Sequence, residues 1–247
     1  MSGDLVSLRM VVVGATLQQQ DLWREGAAQA SVPIDFESGD AGAAKVALSK
    51  GGVDICVLDA AMDDAGRASV IKAAWARQPA PLIIVSAPRG SARPEKTDGL
   101  LPVPANAVDA CKLVETCIRA KMPTRVLIVD ESDSLRGIVR KILAASRFAL
   151  EILEAADSTA ALDHLHANGV GVVFLDYNMR GLNGSDILLG IKRARPDVAI
   201  VMMTSALFTD ASGRPHLSGA LGFLKKPFYP ADVDAVLERY FGLNGSN

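Results

Sequence analysis

Apolar residues in the second half of the chain alternate between strand-sized runs and helical stripes. The strand-sized runs lie at 125–129, 150–153, 170–175, 199–203 and 222–227. Between and after them, apolar positions recur every three or four residues, as on one face of a helix, over 135–143, 159–167, 185–194 and from 231 onward. The run at 150–153 alternates like an edge strand, whereas the unbroken runs predict strands that are buried on both faces. A parallel sheet between layers of helices is therefore expected.

The first half repeats this order of strands and helices. Strands are predicted at 10–13, 34–37, 53–58, 82–85 and 100–104, and helices at 43–49, 68–77 and 107–120. Asn106 is expected to cap the last of these helices, with Asp109 three residues further on. The chain therefore reads as two copies of a (βα)5 unit, joined by the short linker 121–124.

The fourth helix is the weakest part of the pattern in both halves. In the first half, residues 88–98 are too polar and too rich in proline and glycine to pack as a helix, so we expect an irregular segment there. In the second half, the helix expected over 208–220 contains Gly213, Pro215 and Gly219, which disfavour a helix interior. We predict that this helix is short, broken or mobile.

The composition fits a globular protein and narrows its function. The chain has 247 residues, of which 49% are hydrophobic, and its net charge of −2 gives no basic excess for binding nucleic acid. No apolar run approaches the roughly 20 residues that span a bilayer, and no signal peptide is visible. Cys56, Cys111 and Cys117 fit neither a zinc site nor a disulfide framework and predict small apolar fillers. We therefore expect a cytoplasmic protein without a nucleic-acid or membrane partner.

Polar residues stand where the predicted strands of the second half end. Asp130, Asp176, Thr204 and Lys226 each come at the end of a strand. The carboxyl ends of parallel strands meet at one edge of the sheet, where doubly wound folds hold their sites. A single aspartate at a strand end commonly caps the next turn. Four such residues at one edge, however, predict a functional site.

Four short motifs of the second half occur in the order found in a known family. They are LIVDES at 127–132, LDYNM at 175–179, MTS at 203–205 and FLKKPF at 223–228. By these motifs the second half, from Thr124 to about Leu243, resembles the receiver domain of bacterial response regulators, best known from the single-domain chemotaxis regulator. The resemblance implies an α/β protein with a flavodoxin-like, doubly wound (βα)5 fold. It also implies a two-component phosphorelay, in which a sensor histidine kinase or a phosphotransfer protein supplies the phosphoryl group.

The resemblance further implies a nucleophile and a set of Mg²⁺ ligands. Asp176 would be the nucleophile that accepts the phosphoryl group. Mg²⁺ would be bound directly by Glu131, by Asp176 and by the backbone carbonyl of Asn178, and through water by Asp130. Glu131 departs from the family, which more often has aspartate at this place, so its carboxylate lies one methylene further from the backbone.

Two more motif residues would contact the phosphoryl group. Lys226 would balance its charge, and Thr204 would donate a hydrogen bond to it and move toward it. Phe223 would change its rotamer together with Thr204. Lys225 is expected to be a solvated surface residue. No enzymatic activity is implied beyond Mg²⁺-dependent self-phosphorylation and autodephosphorylation at Asp176.

The first half keeps only one residue of the site, Asp59 at the acceptor position. The other positions hold Gly14 and Ala15 for the acidic pair, Ala61 for the asparagine, Ser86 as a replacement for the threonine, and Val103 for the lysine. Without the acidic pair and the lysine, we expect no phosphorylation of Asp59. The predicted domains are a degenerate receiver at 1–121, with a structural or protein-binding role, and a phosphoacceptor receiver at 124–247.

Three functions are compatible with this pattern. The first is a response regulator without a DNA-binding or catalytic output domain, which would act through phosphorylation-dependent contacts with a downstream protein; we expect no effector after 240–241. The second is a receiver pair from a longer regulator, such as one with a diguanylate cyclase output. The third is an enzyme of the same layered fold, such as a phosphatase or a flavin protein. It is disfavoured because no glycine-rich phosphate loop follows Val13 or Val129.

Overall fold

The computed structural model describes residues 7–167, 169–179, 182–205 and 219–244. Contacts between Cα atoms divide this part of the chain into two compact units. The first contains the residues up to Lys121 and the segment from Phe241 onward, and the second runs from Met122 to Tyr240. None of the helices in the described ranges is long and apolar enough to cross a membrane.

The first unit is a five-stranded parallel sheet with helices on both faces. Its elements are β1 (Leu8–Val13), α1 (Leu17–Ala28), β2 (Ile34–Gly39), α2 (Ala41–Lys50), β3 (Ile55–Asp59), α3 (Asp64–Trp75), β4 (Leu82–Ala87), β5 (Gly99–Pro102) and α4 (Ala107–Lys121). The strand order is β2-β1-β3-β4-β5, as in a doubly wound fold. Helix α1 packs against α4 so closely that a Cβ on Gly26 would lie 2.6 Å from the carbonyl carbon of Ala110.

The segment between β4 and β5 contains no helix, as predicted. Asp98 ties its end to β4: the Asp98 N–H donates to the Ile83 carbonyl at 2.6 Å, and Asp98 Oδ2 accepts the Ile83 N–H at 2.6 Å. At the end of α3, the indole N–H of Trp75 donates to the Lys96 carbonyl at 2.9 Å. Hydrogen bonds to β4 and to the end of α3 thus hold this irregular segment, which stands where the fold would otherwise have a helix.

Residues after α4 and the second unit complete the edge of the first sheet. The Leu100 N–H donates to the Leu243 carbonyl at 2.7 Å, and Leu100 forms a parallel bridge with Asn244. Leu243 is fully buried. Gly99 leaves room for it, since a Cβ there would lie 2.9 Å from the Leu243 Cβ. The first unit is therefore assembled from two separate stretches of sequence.

The second unit is another five-stranded parallel sheet. Its elements are β6 (Thr124–Val129), α5 (Asp133–Ala144), β7 (Leu150–Ala155), α6 (Ser158–Ala167), β8 (Val172–Asp176), β9 (Asn178–Met179), β10 (Leu182–Asn183), α7 (Gly184–Ala194), β11 (Ala199–Thr204), β12 (Gly222–Lys225) and α8 (Pro230–Phe241). The strand order is β12-β11-β8-β6-β7, and β9 pairs with β10 in a short antiparallel ladder. The unbroken apolar runs form β6, β8 and β11 at the centre of the sheet.

The two sheets confirm the predicted fold class, and β7 lies at an edge as predicted. The Asn106 cap is also confirmed, because Asn106 Oδ1 accepts the Asp109 N–H at 2.9 Å. Helix α3 begins at 64 rather than at the predicted 68, since Asp63 caps it by accepting the Gly66 N–H at 2.7 Å. The sequence patterns do not mark α1, which Thr16 caps. The fourth helix expected over 208–220 lies outside the described residues, apart from 219–220.

Cys56 and Cys117 pack in the interior of the first unit as free thiols. Burial raises the pKa of each thiol to about 12. Both are therefore protonated at neutral pH and contribute as apolar side chains, as predicted.

Candidate functional site

Asp130 is held at the carboxyl end of β6 by a tight turn. Its side chain is fully buried, and its Oδ1 accepts the N–H of Ser132 at 2.9 Å. Ser132 in turn caps α5 by accepting the Leu135 N–H at 3.4 Å. Because the turn leads directly into the helix, moving the carboxylate would disturb the cap as well.

Lys226 joins Asp130 to Asp176. Its ammonium lies 2.9 Å from Asp130 Oδ2 and 3.1 Å from Asp176 Oδ1. Asp176 ends β8 and is only 6% exposed, so both carboxylates are removed from water and need a cationic partner. The backbone N–H of Lys226 donates to the Thr204 carbonyl at 2.8 Å, which ties the residue after β12 to the end of β11. The predicted residues at three strand ends therefore meet.

The remaining predicted residues of the second unit lie around this centre. Thr204 is buried at the end of β11, and its Cα pairs with that of Lys225 on β12. Phe223 is half-buried and packs against the apolar core that lies between the sheet and α6 and α7. Asn178 is exposed at the start of β9. Lys225 is exposed, as predicted, whereas Lys226 reaches inward.

The predicted Mg²⁺ ligands are brought together only in part. Asp130 and Asp176 share Lys226, whereas Glu131 is exposed. Among the described residues, no group of three His, Cys, Asp or Glu side chains is arranged to hold a metal ion. The donors nevertheless fit Mg²⁺ chemically, because this ion takes oxygen ligands, keeps several waters and binds through one or two carboxylates. Two buried carboxylates opposite one ammonium also leave negative charge for a cation to neutralise.

Strand register identifies the equivalent residues of the first unit. The β1–β3 ladder and the β6–β8 ladder match residue for residue, which makes Asp59 equivalent to Asp176 and Gly14 equivalent to Asp130. Asp59 is buried, and its Oδ1 accepts the N–H of Ala61 at 2.7 Å. The acceptor position thus keeps its place in the fold, but its acidic partner is a glycine.

Ser86 does not stand at the threonine position of the first unit. Asp59 pairs with Ser86 across the β3–β4 ladder, whereas its equivalent Asp176 pairs with Met203 across the β8–β11 ladder. Ser86 therefore matches Met203, and Ala87 matches Thr204. The prediction that Ser86 replaces the threonine is wrong, because the apolar run of β4 is one residue shorter before its first hydroxyl.

In the first unit the side chain of Met62 lies against Gly14, the residue equivalent to Asp130. Gly14 has a φ of +77°, and a side chain there would collide with Met62. Arg67 pins the loop that carries Met62, since its Nη2 donates to the carbonyls of Ala60 at 2.9 Å and of Met62 at 2.6 Å. Val103, at the lysine position, offers no charge. The first unit therefore has no acidic side chain at the Gly14 position, and Met62 takes the space in which one would begin.

Arg136, which the motifs do not mark, supports the Asp130 turn. It lies on α5, and its side chain is 11% exposed. Nη1 donates to the backbone carbonyl of Asp130 at 2.7 Å, and Nε donates to Glu154 Oε2 at 3.2 Å. Nη2 also pairs with Asp133. The available signal in the sequence was its place in the first turns of the helix, from which a long side chain points back toward the strand ends.

Comparisons with known proteins identify relatives of this chain. Residues 126–238 match the response regulator receiver domain family. The chain is 31% identical over 125 residues to the two-component response regulator ORR6 of Oryza sativa subsp. japonica, which covers 49% of this chain and 72% of that protein. It is 29% identical over 116 residues to the response regulator UvrY of Escherichia coli O157:H7, which covers 47% of this chain and 53% of that one. The chain thus spans about half the length of UvrY.

A solved structure also has a similar fold over both units. It is a probable two-component system response regulator/GGDEF domain protein, with a TM-score of 0.53 and 18% sequence identity. The match covers 95% of this chain and 98% of that one. At this identity the likeness shows the fold alone.

Proposed function

Because the chain belongs to the two-component response regulators, we propose that its second unit accepts a phosphoryl group on Asp176 and that the chain signals through the protein contacts that this modification changes. The observation that carries the proposal is the Lys226 ammonium, which lies within hydrogen-bond distance of both Asp130 and Asp176. A carboxylate attacks a phosphoryl group only where the incoming negative charge is neutralised. This arrangement provides a cation beside the nucleophile.

The donor would be a phosphohistidine of a sensor kinase or of a phosphotransfer protein. A carboxylate oxygen of Asp176 forms a bond to phosphorus while the phosphorus–nitrogen bond breaks. The electron pair of that bond stays on the imidazole nitrogen, which takes up a proton from water, and an acyl phosphate remains on Asp176. Lys226 then faces the additional charge of the phosphoryl oxygens.

Asp130, Glu131, Asp176 and the backbone carbonyl of Asn178 are the groups that would hold Mg²⁺. When bound, this ion supplies positive charge that offsets the phosphoryl oxygens during transfer. Glu131 is exposed, so to act as a ligand its carboxylate would have to turn about its side-chain bonds toward the buried pair. Asp130 is already fixed by the Ser132 N–H and by Lys226.

Thr204 and Phe223 would convert the modification into a surface change. Thr204 ends the strand next to Asp176 and belongs to the same edge of the sheet. Its hydroxyl would donate to a phosphoryl oxygen, and the half-buried ring of Phe223, on the neighbouring strand, would follow into the space that the threonine leaves. The output is then a different surface around β11 and β12 for a downstream protein to bind.

The phosphodonor protein would dock beside the segment 226–229, which begins with Lys226. An apolar groove of about 560 Å³ lies between α5 and residues 226–229. Leu135, Ile138 and Tyr229 line it and are exposed. Because Lys226 borders this groove and also contacts Asp176, we assign the groove to the protein that brings a phosphohistidine to Asp176.

The first unit would serve as a protein-binding or structural module. Its acceptor aspartate, Asp59, lacks the acidic partner and the lysine, and Met62 occupies the space beside Gly14. We therefore assign phosphorylation to the second unit alone. The proposed domains are a degenerate receiver at 1–121 and a phosphoacceptor receiver at 124–247, although Leu243 and Asn244 pair with the first sheet.

Intact-mass measurement tests this assignment. With Mg²⁺ and a small phosphodonor such as acetyl phosphate, the wild-type chain should gain one phosphoryl group that hydroxylamine removes. Asp176→Asn should abolish the gain, Asp59→Asn should leave it intact, and chelation of Mg²⁺ should prevent it. A phosphoryl group that persists in Asp176→Asn and disappears in Asp59→Asn would overturn the assignment.

A further inference from the structure

We propose that Arg136 positions Asp130 for cation binding, an inference that rests on the proposed function of the second unit. Arg136 touches no reacting atom and acts through its hydrogen bond to the Asp130 carbonyl, at 2.7 Å. The carboxylate of the same residue is held by the Ser132 N–H at 2.9 Å and by the Lys226 ammonium at 2.9 Å. Arg136 thus fixes the backbone end of a residue whose side-chain end is already fixed.

The first unit contains a neutral version of this arrangement. Gln20 occupies the place of Arg136 on its helix, and Ser38 occupies the place of Glu154 on its strand. Gln20 Nε2 donates to the carbonyl of Ala15 at 2.8 Å, and Ser38 Oγ donates to Gln20 Oε1 at 2.9 Å. A neutral pair therefore holds the turn in the unit that has no acidic pair.

The two arrangements differ in the carbonyl that they hold. Gln20 bonds the carbonyl of Ala15, which is equivalent to Glu131, whereas Arg136 bonds that of Asp130 itself. Support of the turn alone does not require the arginine. Its specific effect is to immobilise the acidic residue that lies deepest in the site.

The charge of Arg136 is balanced by neighbouring carboxylates. Its removal is therefore expected to weaken Mg²⁺ binding rather than to strengthen it. Glu154 accepts from Nε at 3.2 Å, and Asp133 accepts from Nη2. The guanidinium therefore contributes little net repulsion to a cation at Asp130. Orientation dominates, as for residues that hold the ligands of a metal in place and strengthen its binding about 10- to 100-fold.

The double substitution Arg136→Gln/Glu154→Ser transplants the neutral pair of the first unit and tests the proposal. Mg²⁺ affinity is measured by isothermal titration calorimetry on the full chain, and the thermal midpoint is measured in EDTA. We expect a midpoint close to that of wild type and Mg²⁺ binding that is weaker by about tenfold. Arg140→Gln is the matched control, because Arg140 also pairs with Glu154, at 3.3 Å, but lies further along the helix. It should bind Mg²⁺ as wild type does.

Each other outcome overturns the proposal. Unchanged Mg²⁺ affinity in the double variant would show that Asp130 does not depend on Arg136, and tighter binding would show that repulsion dominates. Parallel losses of stability and affinity would make Arg136 a structural residue only. If the double variant does not fold, Arg136→Lys is titrated with Mg²⁺ instead, because lysine keeps the charge but lacks the planar set of N–H donors of the guanidinium. Wild-type Mg²⁺ affinity in this variant overturns the inference, and weaker Mg²⁺ binding upholds it. Failure of the proposed function is distinct, since the wild type itself would then remain unphosphorylated.

Discussion

The side chain of Met62 occupies the space that a side chain at Gly14 would need. Gly14 has a φ of +77°, a conformation in which most side chains are strained. Substitution of this glycine alone therefore cannot restore an acidic residue to the first unit without displacing the loop that follows β3.

We predict that Gly14→Asp lowers the free energy of unfolding of the first unit by about 1–3 kcal/mol through overpacking. The loss should be smaller when Gly14→Asp is introduced into a Met62→Ala background, because the colliding side chain is then gone. Trp23 and Trp75 are the two tryptophans of the chain, and both lie in the first unit. Urea unfolding followed by tryptophan fluorescence therefore reports on this unit, and equal losses in the two backgrounds would contradict the collision.

Lys226→Ala should destabilise the second unit more than Lys225→Ala when no divalent cation is present. The first change leaves Asp130 and Asp176 buried without their cationic partner, at a cost of about 1–3 kcal/mol. The second removes an exposed side chain and should cost about 0.5 kcal/mol or less. Mg²⁺ should reduce the difference in stability between the two variants, because it supplies the positive charge that Lys226→Ala removes. Calorimetric midpoints in EDTA and in Mg²⁺ test this, and equal midpoints of the two variants in EDTA would contradict it.

Ile138→Asp should slow phosphotransfer from a protein donor without slowing it from acetyl phosphate. Ile138 is 54% exposed in the apolar groove beside Lys226, so a charge there disturbs docking and leaves the reacting groups in place. Leu189→Asp is the control: Leu189 is 49% exposed on α7 and does not line the groove. Radiolabel transfer from a phosphorylated histidine protein gives the rates. Loss of both reactions in Ile138→Asp would show damage to the site itself.

Leu243→Ala should destabilise the first unit, although it lies more than a hundred residues beyond α4. Leu243 is fully buried, and its carbonyl accepts the Leu100 N–H. Truncation of a buried leucine costs about 2–5 kcal/mol. Leu17→Ala, at a side chain that is 78% exposed on α1, should change stability little. Tryptophan-monitored urea unfolding compares them, and the same midpoint for both would mean that the segment does not belong to this unit in solution.

Asp130, Asp176 and Lys226 could be located from the sequence because each comes at the end of a strand. Parallel strands bring such ends to one edge, so convergence follows from the pattern alone. The exposure of Glu131 could not be foreseen, because it depends on the backbone of a three-residue turn. Ser86 was assigned to the wrong position because a one-residue offset between two apolar runs is visible only in the strand register.

Met62 and Arg136 were missed for a different reason. A methionine at the entry to a helix has no sequence feature that sets it apart from an ordinary core residue. An arginine on the polar face of an amphipathic helix is in most cases simply solvated. The role of Met62 appears only when the end of β1 is placed beside it, and that of Arg136 only when the end of β6 is. Local sequence patterns therefore predicted the central residues of the site. The roles of Met62 and Arg136 depend on contacts between elements that are distant in sequence or not marked by a motif.

The first unit is assembled from two separate stretches of the chain, and this has a consequence during its synthesis. Domains generally fold as they emerge from the ribosome, N-terminal first. The edge of β5, however, is completed by Leu243 and Asn244, and the intervening chain from Met122 to Tyr240 takes on the order of ten seconds to be translated. Throughout that interval the Leu100 N–H, which later donates to the Leu243 carbonyl, lies at an open strand edge, of the kind that pairs with other chains. We therefore expect nascent chains to be open to mispairing at Leu100 until Leu243 and Asn244 have been synthesised.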